Sequence, residues 1–186
     1  KLMIETILSD YDRVYDMRSV SLRYFNAAGA DPELEIGEWH DPEPHLIPSV
    51  LEVPQGKRDC VDIFGEDHPT PDGTCIRDYI HVHDIARAHV LALERLLRGG
   101  ASEAINLGNE RGFSVRQVIE CASEVTGEDI PARVSGRRPG DPAELTGSRD
   151  KAARILGWSP AFRELREIVR TAWDWKRKGS RESTTS

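Results

Sequence analysis

The sequence predicts an α/β protein with a largely parallel sheet. Short β-branched and aromatic runs alternate with amphipathic helical stretches, and polar residues gather where the strands end. At 186 residues the chain can build one substantial core, or a small domain plus part of another. With 38% hydrophobic and 31% charged residues it reads as a soluble globular chain, without an apolar run long enough to span a bilayer. A net charge of −7 argues against nucleic-acid and membrane-surface partners. Cys60, Cys75 and Cys121 are odd in number and widely spaced, so reduced thiols in a cytoplasmic chain are expected.

The elements follow in order. Leu2 to Arg13 carries a helical apolar stripe (Leu2, Met3, Ile4, Ile7, Leu8), and Ser19 to Phe25 reads as a strand that ends in a turn at Asn26–Ala30. Residues 31–48, rich in proline and acids, read as an irregular excursion. A short helix at Ile47–Gln55 is interrupted by Pro48 and Pro54, and Cys60–Gly65 is a strand. Asp78 to Val82 reads as a strand, with His83 or Asp84 capping a helix from Ile85 to Leu97. Ala104–Gly108 is another short strand. Ser114 starts a helix stopped by Gly127, and Ser148 caps one closed by Gly157. A last helix covers Phe162 to Trp175, and 176–186 are expected as a disordered tail.

No segment holds a self-sufficient catalytic motif: there is no glycine-rich phosphate loop and no nucleophile elbow. Polar residues at strand ends are the readable signal, because open α/β sheets bind ligands there. Arg23–Asn26, Ile63–Gly65, Arg77–His81 and the loop Arg137–Asp141 are such places. Separated arginines with a strand-end aromatic suit an anionic ligand that carries a flat ring, such as a nucleoside diphosphate. The string His81-x-His83-Asp84 has a metal-like alternation, but no third ligand is identifiable and no metal is expected.

Ser21-Leu-Arg-Tyr-Phe-Asn-Ala-Ala-Gly-Ala resembles a segment of the UDP-glucose 4-epimerases, extended short-chain dehydrogenases/reductases. Asp72-Gly-Thr…Arg77-Asp-Tyr-Ile-His-Val, Arg137-Arg-Pro-Gly-Asp-Pro-Ala and Leu156-Gly-Trp are similar to the same family. The resemblance covers residues 1–175 and implies the C-terminal part of a Rossmann-type NAD-binding domain plus a smaller α/β substrate domain. Residues 1–30 and 78–110 would belong to the former, 31–77 and 111–175 to the latter.

It further implies NAD as cofactor, a UDP-sugar as substrate, and a homodimer when full length. Lys1 falls on the lysine that holds the nicotinamide ribose and favours the catalytic tyrosine's phenolate. That tyrosine and the glycine-rich loop would precede Lys1, so this chain by itself is expected to be inactive. Tyr24 and Phe25 would flank the nicotinamide. Asn26, His45, Leu46, Ile47, Asp62, Ile63, Phe64, Arg77, Arg138, Asp141 and Leu145 would contact the UDP-sugar, with Leu145 governing room for an N-acetyl group. The alternatives are epimerisation of a related sugar, UDP-N-acetylglucosamine or UDP-arabinose, and a non-catalytic UDP-sugar-binding fragment.

Overall fold

The apolar stripe at the start of the sequence forms α1 (Leu2–Tyr15), closed by Asp16 in the left-handed region at φ 53°. The structure, a computed structural model, describes residues 1–182. β1 (Val20–Arg23) lies parallel to β6 (Glu103–Asn106), with Val20 opposite Glu103. The end of β1 is tied back to α1, where Arg23 Nε donates to Glu5 Oε1 at 2.8 Å.

The stretch expected as a turn at Asn26–Ala30 begins as a strand. β2 (Asn26–Ala28) pairs in parallel with β5 (Tyr79–His81). Small side chains allow this close pairing, and the chain bends only at Gly29, where φ is +82°. A Cβ there would stand 2.5 Å from the His81 ring.

β3 (Val61–Phe64) runs parallel to β8 (Ala132–Ser135). β4 (Ile76–Arg77) sits between β7 (Phe113–Ser114), antiparallel, and β9 (Glu144–Leu145), parallel. Four pairings are thus parallel and one antiparallel, which agrees with the predicted class. β4, β7, β8 and β9 are too short or too polar to be read from pattern.

The strand expected from Asp78 to Val82 is shorter, because Asp78 is where the chain changes ladder. Its N–H donates to Leu145 O at 3.1 Å, while its carbonyl accepts the Asn26 N–H at 3.3 Å. Val82 already opens α3 (Val82–Leu97). The cap of α3 is His81 rather than His83 or Asp84: its Nδ1 accepts the His83 N–H at 3.1 Å. Asp84 is committed elsewhere, its carboxylate accepting the N–H groups of Ala161 and Phe162 at 2.9 Å each.

α2 (Leu46–Leu51) carries Pro48 in its first turn, where a missing N–H leaves no intrahelical bond unmade. α4 (Val115–Thr126) starts with a capping box between Ser114 and Gln117 and stops at Gly127. The N-cap of α5 (Asp150–Leu156) is Arg149 rather than Ser148, one residue earlier, although the Ser148 hydroxyl still accepts the Asp150 N–H at 3.0 Å. α6 (Leu165–Glu182) continues well past Trp175, so residues 176–182 are helical, not a tail. Tertiary contacts hold that extension. Trp175 Nε1 donates to Glu38 O at 3.2 Å, and Lys178 Nζ to Leu34 O at 2.8 Å. The remainder of the expected tail, 183–186, lies outside the described residues.

Apolar burial falls into two clusters. One gathers α2, β3, α4 and α6 through Val50, Leu51, Ile63, Val118, Ile168 and Val169. The other packs α3, β6 and α5 around Ile80, Ile105, Leu107 and the fully buried Trp158, whose indole donates to Asp84 O at 2.9 Å. β5 is shared between them: Tyr79 sits in the first cluster and Ile80 in the second.

Candidate functional site: a cleft between strand ends and loops

A cleft of about 910 Å³ opens where β1, β3 and β4 end. Lys1 lines it from the start of α1, Tyr24 and Phe25 from the end of β1, Asn26 from the start of β2, and His45, Leu46 and Ile47 from the start of α2. Asp62, Ile63 and Phe64 contribute β3, and Arg77, Arg138 and Asp141 close the opposite side. The structure therefore gathers into one cavity every predicted site residue except Leu145. Leu145 lies outside the lining, on β9, with its carbonyl taken by Asp78 and 40% of the residue exposed.

The polar groups of the cleft have distinct partners. Arg77 forms an ion pair with Asp141, and its Nη1 donates to its neighbour's carbonyl, Ile76 O, at 2.7 Å. Arg137 is spent on Asp67, its Nε 2.5 Å from Oδ1. Arg138 differs: its guanidinium carbon stands 3.8 Å from the centroid of the Phe64 ring, a cation–π contact. Among the described residues no carboxylate pairs with it.

Asp62 faces β8, where it accepts from Arg133 Nε at 2.5 Å and Ser135 Oγ at 3.0 Å. The Arg133 hydrogen bond, followed by that of Ser135, holds its carboxyl below the usual range. Asn26 Nδ2 donates to Asp78 O at 2.9 Å, which fixes the amide at the β2 entrance. Phe25 packs on Gly147, where a Cβ would come within 2.5 Å of the ring.

Beneath the cleft lies a residue that the sequence did not single out. Asp78 is fully buried, and its carboxylate accepts the N–H groups of Asn109 at 3.1–3.2 Å and Gly147 at 3.1 Å. Burial pushes its carboxyl up to about 6, against the pull of those two N–H groups. His81 is equally buried, and loss of hydration pushes its imidazole down to about 4. Its Nδ1 accepts from His83 N–H, so the proton sits on Nε2, which faces Thr171 Oγ1 at 2.9 Å. That hydroxyl also accepts the Ala30 N–H at 3.2 Å and donates to Ile168 O at 3.0 Å. No pattern in the sequence marks Asp78 as buried. Only its place between two short strands hints at it.

Cys75 lines the cleft beside His68 Nε2 at 3.3 Å, but burial and the nearby Asp141 push its thiol up, away from the thiolate. Burial likewise pushes the Tyr79 hydroxyl up. Arginines beside an aromatic ring in one cavity are groups that suit an anionic ligand with a flat ring.

The profile of the NAD dependent epimerase/dehydratase family matches residues 1–108, more than half of the chain. The chain belongs to the NAD dependent epimerase/dehydratase family. Similar members of that family include the UDP-glucose 4-epimerase of Halalkalibacterium halodurans, 53% identical over 178 residues, 96% of this chain and 53% of that one. UDP-glucose 4-epimerase from Brucella ovis in complex with NAD matches at TM-score 0.89 and 47% identity, covering 93% of this chain and 53% of that one. The UDP-glucose-4-epimerase from Stenotrophomonas maltophila with bound NAD and formylated UDP-arabinopyranose matches at TM-score 0.94 and 40% identity, covering 98% and 55%. This family member spans about half the length of the curated relatives it matches. The Rossmann-type α/β architecture expected from the sequence is the one these family structures share.

Proposed function

We propose that this chain carries the nucleotide-sugar-binding half of an NAD-dependent UDP-glucose 4-epimerase, which interconverts UDP-glucose and UDP-galactose by transient oxidation at C4. One observation carries the reading: a cleft guanidinium, Arg138, with which no carboxylate pairs among the described residues and which stands 3.8 Å from the centroid of Phe64, in the cavity that the Arg77–Asp141 pair also lines. Guanidinium forks match diphosphate oxygens, and a carboxylate matches ribose hydroxyls. Similarity to UDP-glucose 4-epimerases over nearly the whole of this chain supports the same reading.

Arg77 and Arg138 bind the diphosphate, Asp141 the uridine ribose, and the strand from Asp62 to Phe64 covers the uracil. The backbone of His45, Leu46 and Ile47 meets the diphosphate, and Asn26 meets the sugar. Lys1, Tyr24 and Phe25, one cation and two rings at one end of the cleft, suit a nicotinamide riboside. When bound, NAD supplies the acceptor and donor of hydride at C4. Lys1 holds the ribose hydroxyls and, by its charge, favours the phenolate of a tyrosine base.

The substrate domain comprises residues 31–77 and 111–175, and residues 1–30 and 78–110 belong to the Rossmann-type domain. The whole protein is cytoplasmic and a homodimer, a reading supported by the exposed apolar face of α1 at Leu2, Ile4 and Ile7. The test is conversion of UDP-galactose by the full-length protein in an assay coupled to UDP-glucose dehydrogenase. Turnover is expected. Failure to turn over or bind any UDP-sugar overturns the reading, and turnover of another UDP-sugar alone replaces the substrate.

A further inference from the structure

The rim of the cleft holds a group of chemistry-bearing side chains that nucleotide-sugar binding does not use. Glu38, His40, Glu43 and His45 each offer one ligand atom, and the four atoms lie within 4.8 Å of one another. His45 Nδ1 stands 2.7 Å from Glu38 Oε1 and 3.1 Å from Glu43 Oε1. His40 Nδ1 stands 3.2 Å from the same Glu38 oxygen. A ring nitrogen carries at most one proton, so one N–H cannot serve both carboxylate oxygens at full strength. Two carboxylates converging on one nitrogen is an arrangement that a cation among them relieves.

Glu43 supplies a second, independent observation. Its side chain is completely buried, and its Oε2 accepts no hydrogen bond. Lys176 Nζ stands 3.6 Å from that oxygen and balances its charge from α6, while Oε1 faces His45, accepting its backbone N–H at 3.0 Å and standing 3.1 Å from its Nδ1. A carboxylate so oriented by a neighbouring cation is held ready for a ligand's role.

We propose that Glu38, His40, Glu43 and His45 form a binding site for a transition-metal dication of the zinc class. Ligands 2.0–2.2 Å from a tetrahedral zinc stand about 3.4 Å apart, near the 2.7–3.2 Å of the three closest pairs here, and all four atoms lie within 4.8 Å of one another. Two imidazoles exclude the all-oxygen shells of calcium and magnesium, and a nitrogen–oxygen donor set suits zinc or cobalt. Four protein ligands leave no open position, so the metal is structural. It fastens the loop before α2 to two helices at once. His45 is the N-cap of α2, while Lys176 grips Glu43 and Trp175 grips the Glu38 carbonyl from α6.

The site stands independently of the nucleotide-sugar reading, so its test reads metal and not turnover. Full-length protein stripped with a chelator is titrated with Co²⁺ and Zn²⁺ at neutral pH. One Co²⁺ per chain is expected, with the intense visible absorption of a tetrahedral site, displaced by Zn²⁺. His40 is exposed, so His40→Ala should keep the fold, checked by circular dichroism, while weakening Co²⁺ binding at least tenfold. His40→Cys should restore zinc binding, because a thiolate is also a zinc ligand. His89→Ala, on α3 away from the cluster, should leave it unchanged. Absence of stoichiometric uptake, or uptake undiminished by both His40→Ala and His45→Ala, overturns the proposal.

Discussion

Arg138 and Arg77 show how one residue type takes different work from its surroundings. Arg77 is already committed to Asp141 and a backbone carbonyl, whereas Arg138 stands over a ring and forms no ion pair among the described residues. In the full-length protein, Arg138→Ala should weaken UDP binding by about 1.5–3 kcal/mol, the range for hydrogen bonds to charged groups. Calorimetry with UDP checks this, and unchanged affinity would remove Arg138 from the diphosphate site. The sequence made both arginines candidates by their strand-end and loop placement, and family resemblance favoured them over the common pairing of arginines with surface acids. The role of Asp78 was barely legible. Its partners Asn109 and Gly147 lie 31 and 69 residues away, and local pattern carries no information at such separations.

Among the elements, those with local signals were the ones read correctly. The capping box of α4 is local: Ser114 Oγ accepts the Gln117 N–H at 3.1 Å, and Gln117 Oε1 accepts the Ser114 N–H at 2.9 Å. Ser114 also bonds Asp72, so Ser114→Ala should cost about 1–2 kcal/mol. Urea unfolding should show a lower midpoint at unchanged slope. The end of α6 and the cap of α3 were misread because distant contacts decide them. Lys176, Arg177 and Lys178 look like a solvated terminus, yet Trp175 lies across Gly37, where a Cβ would meet its ring at 2.4 Å. Trp175→Ala should therefore cost roughly 2 kcal/mol, about half the loss at a fully buried aromatic. Amide exchange should speed up at residues 34–38. Protection there that survives the substitution would mean that the loop is held by other contacts.

For the molecule as a whole, the informative feature is the stretch from Asp78 to His81, whose strand β5 serves both apolar clusters. The folded carboxyl of Asp78 titrates near 6, so its contribution to stability is complete below the ordinary carboxylate range and disappears as pH rises through about 6. His81 has the opposite sign: folded at about 4, it contributes fully above the ordinary imidazole value and loses that contribution as pH falls toward 4. Asp78→Asn should leave stability rising with pH between about 4 and 6, and His81→Gln should leave it falling. Each slope should approach about 1 kcal/mol per pH unit. Denaturant titrations of both variants across that range decide the matter, and parallel profiles would sink the idea. In the native chain the two trends run against each other. Near pH 5, unfolding takes a proton from a carboxyl and gives one to an imidazole. For these two groups the solvent gains and loses almost nothing, so the segment that joins the two cores adds little pH dependence of its own in mild acid.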